Sequence, residues 1–195
     1  DVIDLYYAHV DDRTTPLEET LEAFNQLVQA GKVRYIGGSN YLAWRLEQAK
    51  WISETHGWAQ YCCIQQHYTY LRLRPGTNVS PQIMVNDDLL DYIAERGITL
   101  LAYSVLQSGA YTRADRALRS EFAMPDNDRR LETLRAVAAE TGAGVNQVII
   151  AWMLQRQVIP LIAASTEEQL AENLDALRVN LSAEQMDRLN RAGTE

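Results

Sequence analysis

Apolar positions along this chain follow two spacings that alternate. Nearly continuous apolar runs of strand length are separated by longer stretches in which apolar residues recur every three to four positions. Val2 to Ala8 (VIDLYYA) reads as the first strand and ends at His9. Thr15 and Pro16 open a helix, with Pro at the first helical position and Thr15 spaced from Glu18 as in a capping box. Its apolar stripe is Leu17, Leu21, Phe24, Leu27 and Val28, and Gly31 stops it. Lys32 to Gly37 is the second strand. Asn40 is placed to cap a helix that turns Leu42, Leu46, Ala49 and Ile52 inward. Tyr61 to Gln66 is the third strand, followed by a polar loop with Pro75, Gly76 and Pro81. A helix through Leu89, Leu90 and Ile93 runs to Gly97, and Ile98 to Tyr103 is the fourth strand.

The segment from Ser104 to about Asp126 is long and irregular, a length that in compact domains usually serves function or motion. Arg129 to Thr141 and Val145 to Arg156 are helices separated by Gly142 and Gly144, and Val158 to Ile162 is the fifth strand. Helices from about Glu167 to Leu177 and from Ser182 to Ala192 follow. Strands alternating with helices in this way predict an α/β protein with a parallel sheet. No G-x-G-x-x-G follows a strand and no Walker A motif occurs, which removes the usual signatures of nucleotide-binding open sheets. Polar residues stand where each strand ends: His9, Ser39-Asn40, Gln65-Gln66, Tyr103-Ser104 and Ala163 to Thr166. A (β/α)8 barrel gathers its chemistry at those ends. Five strands cannot close such a barrel, which usually takes about 250 residues. The pattern therefore predicts a single domain over residues 1–195 that is a barrel fragment, and a first residue Asp1 leading straight into strand agrees with a cut start.

Composition narrows the partners. Eighteen basic against twenty-six acidic residues give a formal net charge of -8, which argues against a nucleic-acid binder. No apolar run approaches the ~18 residues of a membrane span, and no signal peptide or lipidation motif occurs. Cys62 and Cys63 are adjacent, point to opposite faces of a strand and have no partner at metal-ligand spacing. They predict a reduced, cytoplasmic protein with no metal site. Trp44, Trp51, Trp58 and Trp152 are expected in packing, and His56 and His67 in surface or packing positions. No interface signature stands out from which to read an oligomeric state.

The strand-end segments resemble the aldo-keto reductase family over essentially the whole chain. IDLYYAH is similar to the family's fourth strand with its histidine, and EETLEAFNQLVQAGKVRYIGGSNY to its helix, strand and Ser-Asn pair. IQQHYTYL resembles the Val-Gln-Asn-x-Tyr-Asn segment, with Gln66 in place of the usual Asn. ITLLAYSVLQSG resembles the Ala-Tyr-Ser-Pro-Leu segment, with Val105 in place of Pro. VIPLIAASTEEQLAENL resembles the segment around the eighth strand. The resemblance implies strands four to eight of a (β/α)8 TIM barrel lacking the first three βα units. It implies an oxidoreductase that reduces aldehyde or ketone carbonyls by hydride transfer from NADPH, with NAD also possible. A cofactor-binding barrel without turnover, serving regulation or a partner, is the alternative.

The family's tetrad is Tyr, Lys, Asp and His, of which His9 matches the histidine and would direct a ring N–H at the carbonyl oxygen. The Tyr, Lys and Asp fall in the unmatched strands. Lys32, at the start of a strand, and Lys50, within a helix, are the only lysines, and neither suits the role of lowering a tyrosine's pKa. The 195-residue chain alone is therefore expected not to be a competent reductase, and to expose unpaired edges at its first and last strands. By the same resemblance Ser39, Asn40 and Gln65 would bind the nicotinamide carboxamide, and Tyr103 would stack on the ring. Backbone N–H groups from Ser104 through Leu106 and Ser108 to Gly109 would hold the diphosphate. Ser165, Gln169, Glu172 and Asn173 would lie along the adenosine. The stretch Ala163 to Gln169 carries two acids and no base, so discrimination between NADP(H) and NAD(H) is expected to be about tenfold or less.

Overall fold

The computed structural model describes residues 1–194. Their order is β1 (Ile3–Ala8), α1 (Leu17–Gln29), β2 (Val33–Ser39), α2 (Ala43–His56), β3 (Tyr61–His67), α3 (Asp87–Arg96), β4 (Thr99–Tyr103), α4 (Pro125–Thr141), α5 (Val145–Gln155), β5 (Ile159–Pro160), α6 (Glu167–Asp175) and α7 (Ala183–Arg191). The strands lie in the order β1-β2-β3-β4-β5, with β1–β2 and β2–β3 parallel. This is the expected α/β fold with a parallel sheet. The chain divides into two compact units, Asp1–His67 with Val79–Leu101, and Tyr68–Asn78 with Ala102–Glu195. Among the described residues no single helix is long and apolar enough to cross a membrane.

In the first unit, one face of the sheet is sealed by helices. Ile36, Tyr61 and Ile64 are buried with Leu17 and Leu21 of α1, Leu46, Ala49 and Ile52 of α2, and Leu89 and Ile93 of α3. Tyr61 meets Phe24 and Tyr41 edge to face, with ring centroids 6.5 and 5.6 Å apart, and burial raises the pKa of both its own hydroxyl and that of Tyr41. On the other face Tyr7 stands beside Gly37 in register, and Cys63 lies next to both. A Cβ on Gly37 would come within 2.6 Å of Cys63 Sγ and 2.8 Å of the Tyr7 ring, so only glycine fits there. Val2, Ile3 and Tyr6 on β1 and Tyr35 on β2 remain exposed.

The second unit is built around α4 and α5. Leu131, Leu134 and Val137 pack with Val148, Ile149, Trp152 and Met153, and with Leu189 of α7. A buried arginine ties the chain's end into this core. Arg130 donates to Tyr70 O at 2.8 Å and Ala192 O at 2.7 Å, and its guanidinium lies 4.2 Å from the Tyr70 ring centroid. Asn127 pins the irregular segment by accepting from Arg72 N and donating to Arg72 O and Phe122 O.

Several local expectations are corrected. Thr15 does not form a capping box. Asp12 instead accepts from Thr14 N, Thr14 Oγ1 and Thr15 Oγ1 at 2.6–2.8 Å, and those bonds hold its carboxyl at about 2. Helix α4 starts at Pro125, four residues before the predicted Arg129, because Pro serves as a first-turn residue. The fifth strand is only Ile159–Pro160, and the helix after it gives way at Ala176 to a 3-10 turn. Leu42 is 38% exposed, since it precedes α2 and does not face inward. Trp44 and Trp51 are 56% and 65% exposed and do not serve packing. Arg13 covers one face of Trp44, with its guanidinium 4.8 Å from the ring centroid. His56 is at the surface, bonded to Glu18 and stacked on Trp58, while His67 is buried.

Candidate active site

The residues singled out at the strand ends fall into two sets, one in each unit. In the first unit, β1, β2 and β3 end side by side. Their register decides which side chains meet. Ile36 pairs with Tyr61, yet Gly38 pairs with Ile64, so β3 carries one residue more than β2 over this stretch. Without that bulge Ser39 would face Ile64. With it, Ser39 pairs with Gln65, and Ser39 Oγ donates to Gln65 Oε1 at 3.3 Å.

Asn40 joins the same group. Its backbone turns into the left-handed region, with φ 58°, a conformation asparagine tolerates better than most side chains. The Nδ2 group donates to His9 O and to Ser39 Oγ, each at 3.1 Å, and Oδ1 accepts from Ile83 N at 3.1 Å. Asn40 N donates to Gln65 O at 3.2 Å. Asn40 therefore does not cap α2, whose N-cap is Leu42. Ser39 and Asn40 are buried, Gln65 is half-buried and the His9 residue is exposed. The structure thus brings Ser39, Asn40 and Gln65 together and joins them to the backbone oxygen of His9. Sequence reading missed the contribution of the polar loop after β3. His67 N donates to Ile83 O and Val85 N to His67 O, which lays Ile83 against the strand ends. Only the Pro81 nearby hinted at structure there.

Beneath this group burial pushes the Cys63 thiol up to about 12 and also raises the pKa of Tyr7. Asp11, two residues after His9, is buried between Arg13 and Arg45, with Arg45 Nε donating to Asp11 Oδ1 at 3.1 Å. That ion pair ties the segment after β1 to α2.

The second unit contributes Tyr103 and the turn that follows it. Ser104, Gln107, Ser108 and Gly109 all have positive φ, at 58°, 48°, 54° and 88°. Within this turn Gln107 N donates to Ser104 O and Gly109 N to Leu106 O. Two of the N–H groups expected to face an anion are therefore engaged inside the turn itself. The side chains of Val105 and Gln107 are buried, and Thr69 Oγ1 holds the Val105 carbonyl and the Tyr111 hydroxyl from below. At the start of α6, Thr166 accepts from Gln169 N at 3.3 Å, and Gln169 Oε1 accepts from Ser165 N at 2.7 Å. Ser165 and Gln169 are thus brought together as a reciprocal cap. Glu172 is exposed and Asn173 half-buried on the same helix, where Glu172 O accepts from Gln147.

Fold and site together define an α/β protein with a parallel sheet whose hydrogen-bonded amide and hydroxyl groups collect at the strand ends. A match to the Aldo/keto reductase family runs over residues 1–193, and the chain belongs to that family. It is 32% identical over 194 residues to the uncharacterized oxidoreductase YrpG of Bacillus subtilis (strain 168), covering 97% of this chain and 58% of that protein. It is 27% identical over 200 residues to the aldo-keto reductase AMT2 of Alternaria alternata, covering 97% of this chain and 52% of that protein. A crystal structure of the thermostable aldo-keto reductase Tm1743 with the inhibitor epalrestat matches with a TM-score of 0.77 and 33% identity, covering 98% of this chain and 60% of that one. The chain spans about half the length of the curated relatives it matches.

Proposed function

We propose that this chain belongs to an NAD(P)H-dependent oxidoreductase that reduces the carbonyl of a small aldehyde or ketone, in a cytoplasmic setting. Its five strands correspond, in this reading, to the fourth to eighth strands of a (β/α)8 barrel, with residues 1–195 forming one functional domain. The observation that carries the reading is the bonded group of Ser39, Asn40 and Gln65 beside His9, at the strand ends where such barrels place their chemistry.

The nicotinamide cofactor, when bound, supplies hydride to the carbonyl carbon. The chain's own residues fit that group. Hydroxyl and amide side chains at Ser39, Asn40 and Gln65 match a carboxamide, which is both donor and acceptor. By the family resemblance, Tyr103 would stack on the nicotinamide. His9, whose backbone oxygen is held by Asn40, would by the family resemblance direct a ring N–H toward the oxygen on which negative charge develops. In the second unit, the turn from Ser104 to Gly109, whose Gln107 and Gly109 N–H groups are engaged within it, would offer its remaining N–H groups to the diphosphate. Ser165, Gln169, Glu172 and Asn173 serve the adenosine end. NADP(H) is the favoured dinucleotide, held with little preference over NAD(H), because Glu167 and Glu168 stand where a 2′-phosphate would want a base.

The test is calorimetric titration of the chain with NADP+ and NAD+ at low salt, followed by an aldehyde-reduction assay. Binding of both, with dissociation constants within about tenfold of each other, is expected. Reduction by the 195-residue chain is expected at background, because Lys50 is bonded to Glu54 in the middle of α2 and Lys32 precedes β2, so neither serves a tyrosine acid. Failure to bind either dinucleotide at millimolar concentration overturns the reading. Preference for NADP+ of several hundredfold overturns the reading of the α6 start.

A further inference from the structure

We infer that Asn40 is the positioning residue of the first set, acting through His9 and Gln65: it fixes the strand end that bears the imidazole and sets the direction in which the Gln65 amide points. That these groups serve carbonyl reduction rests on the function proposed above. The geometry of Asn40 stands without it.

The orientation of the Asn40 amide is fixed by two groups that cannot exchange roles. Ile83 N–H only donates, and it meets Oδ1; the His9 carbonyl only accepts, and it meets Nδ2, both at 3.1 Å. The Nδ2 group also donates to Ser39 Oγ at 3.1 Å. A hydroxyl has one hydrogen, and Ser39, having accepted from Asn40, sends its own to Gln65 Oε1 at 3.3 Å. The carbonyl end of Gln65 is therefore turned to Ser39, and its NH2 end, with two donors, is turned away from Ser39. The result is a polarised relay running from Ile83 through Asn40 and Ser39 to Gln65, with a branch to the backbone of His9. A carboxamide ligand would meet donors at Gln65 because of a residue two steps removed.

The position constrains its occupant twice over. At φ 58° most side chains are strained, while Asn, Asp and Gly are tolerated. Of those three, only Asn offers an acceptor to Ile83 and donors to His9 and Ser39 together. Asn40 is 5% exposed, so groups it abandons are left with little water to replace it.

Nuclear magnetic resonance on the folded 195-residue chain separates the parts of this role. Asn40→Asp keeps the backbone preference and the acceptor for Ile83 but sets an oxygen against His9 O and Ser39 Oγ. Asn40→Gly keeps the backbone and removes every side-chain bond. Ser39→Ala cuts only the relay to Gln65. The readouts are the side-chain amide resonances of Gln65, the imidazole resonances of His9 and the exchange rate of the Ile83 amide. Asn40→Asp is expected to move Gln65 and His9 by more than a linewidth while Ile83 exchange holds. Asn40→Gly moves both and speeds Ile83 exchange about tenfold, the equivalent of one lost hydrogen bond. Ser39→Ala moves Gln65 alone. If Asn40→Asp fails to fold, the glycine and Ser39 variants decide the matter. Unmoved His9 and Gln65 resonances in the Asn40 variants overturn the inference, and so does a His9 shift in Ser39→Ala equal to that in Asn40→Gly. Titration of the unmodified chain with NADP+ on the same samples keeps the two readings apart. Absence of binding there overturns the proposed function and leaves the result for Asn40 standing.

Discussion

The two sets of strand-end residues are held by bonds of very different reach. In the first unit, the bonds that join Ser39 to Gln65, Asn40 to His9 and Ile83 to Asn40 link residues 26, 31 and 43 apart in the chain. In the second, the bonds around Ser165, Thr166 and Gln169 link residues three or four apart, and the backbone bonds inside the Ser104–Ala110 turn are equally short, while Thr69 reaches the Val105 carbonyl from 36 residues away. A group assembled from distant segments exists only when the sheet has formed, and it pays for its precision with dependence on the whole unit. A group assembled locally can rearrange, or melt, without disturbing the core. Under the function proposed above, the first set would hold a reacting ring and oxygen in place. The second would grip a flexible ligand that must enter and leave.

Three measurements test how far that contrast goes, and the largest effect belongs to the first set. Gly37→Val pushes a side chain into Cys63 and Tyr7, directly beneath Ser39. It is expected to lower stability in urea unfolding by about 1–3 kcal/mol and to move the Gln65 side-chain resonances with it. A stable variant with unmoved Gln65 would show that the strand ends do not depend on the layer below.

A smaller effect is shared by both units. Burial pushes Tyr111 and Tyr70 up to about 12 and also raises Tyr61. A tyrosine whose folded value lies above its unfolded one stabilises fully below about pH 10, and that support is lost as pH rises through about 12. Denaturant midpoints are therefore expected to hold to about pH 10 and then fall steadily toward pH 12. Flat midpoints from pH 8 to 12 would contradict the burial of these hydroxyls. Separate transitions followed by probes in each unit would sharpen the contrast between them.

The smallest effect lies in the second set. Gln169→Ala removes the acceptor for Ser165 N at the start of α6, a helix with no buried residues. Loss of such a cap is worth about 1 kcal/mol or less. Faster exchange at Ser165 is expected, with no change in global unfolding. A fall in the global midpoint would mean that this end is coupled to the core after all.

The same division of reach explains what the sequence could tell. Strand and helix order follows from local spacing, and β1 to β4 lie within a residue or two of where periodicity puts them. The errors concern residues whose partners are remote or compete locally. Asn40 has the look of a helix cap because capping is the commonest local use of asparagine, yet its side chain is taken by His9 and Ile83. Thr15 donates its hydroxyl to Asp12 and makes no cap bond to α1, whose N-cap is Pro16. Trp44 and Trp51 have helical spacing but occupy outward faces of α2. The bulge that brings Gln65 opposite Ser39 leaves no mark in the residue pattern, since it is a property of pairing between strands. Resemblance supplied the membership of the site; only the register supplied its wiring.

The paired cysteines of β3 turn that register into a reporter. Cys62 is exposed and Cys63 is buried beneath Tyr7 beside Gly37. An alkylating reagent therefore meets one thiol per native molecule and two once the sheet has parted. The first equivalent measures concentration, and the delay before the second measures how often the floor under the strand ends opens. A covalent clock of this kind needs no cofactor, no substrate and no engineered label, because the chain carries both its reference and its timer in adjacent residues.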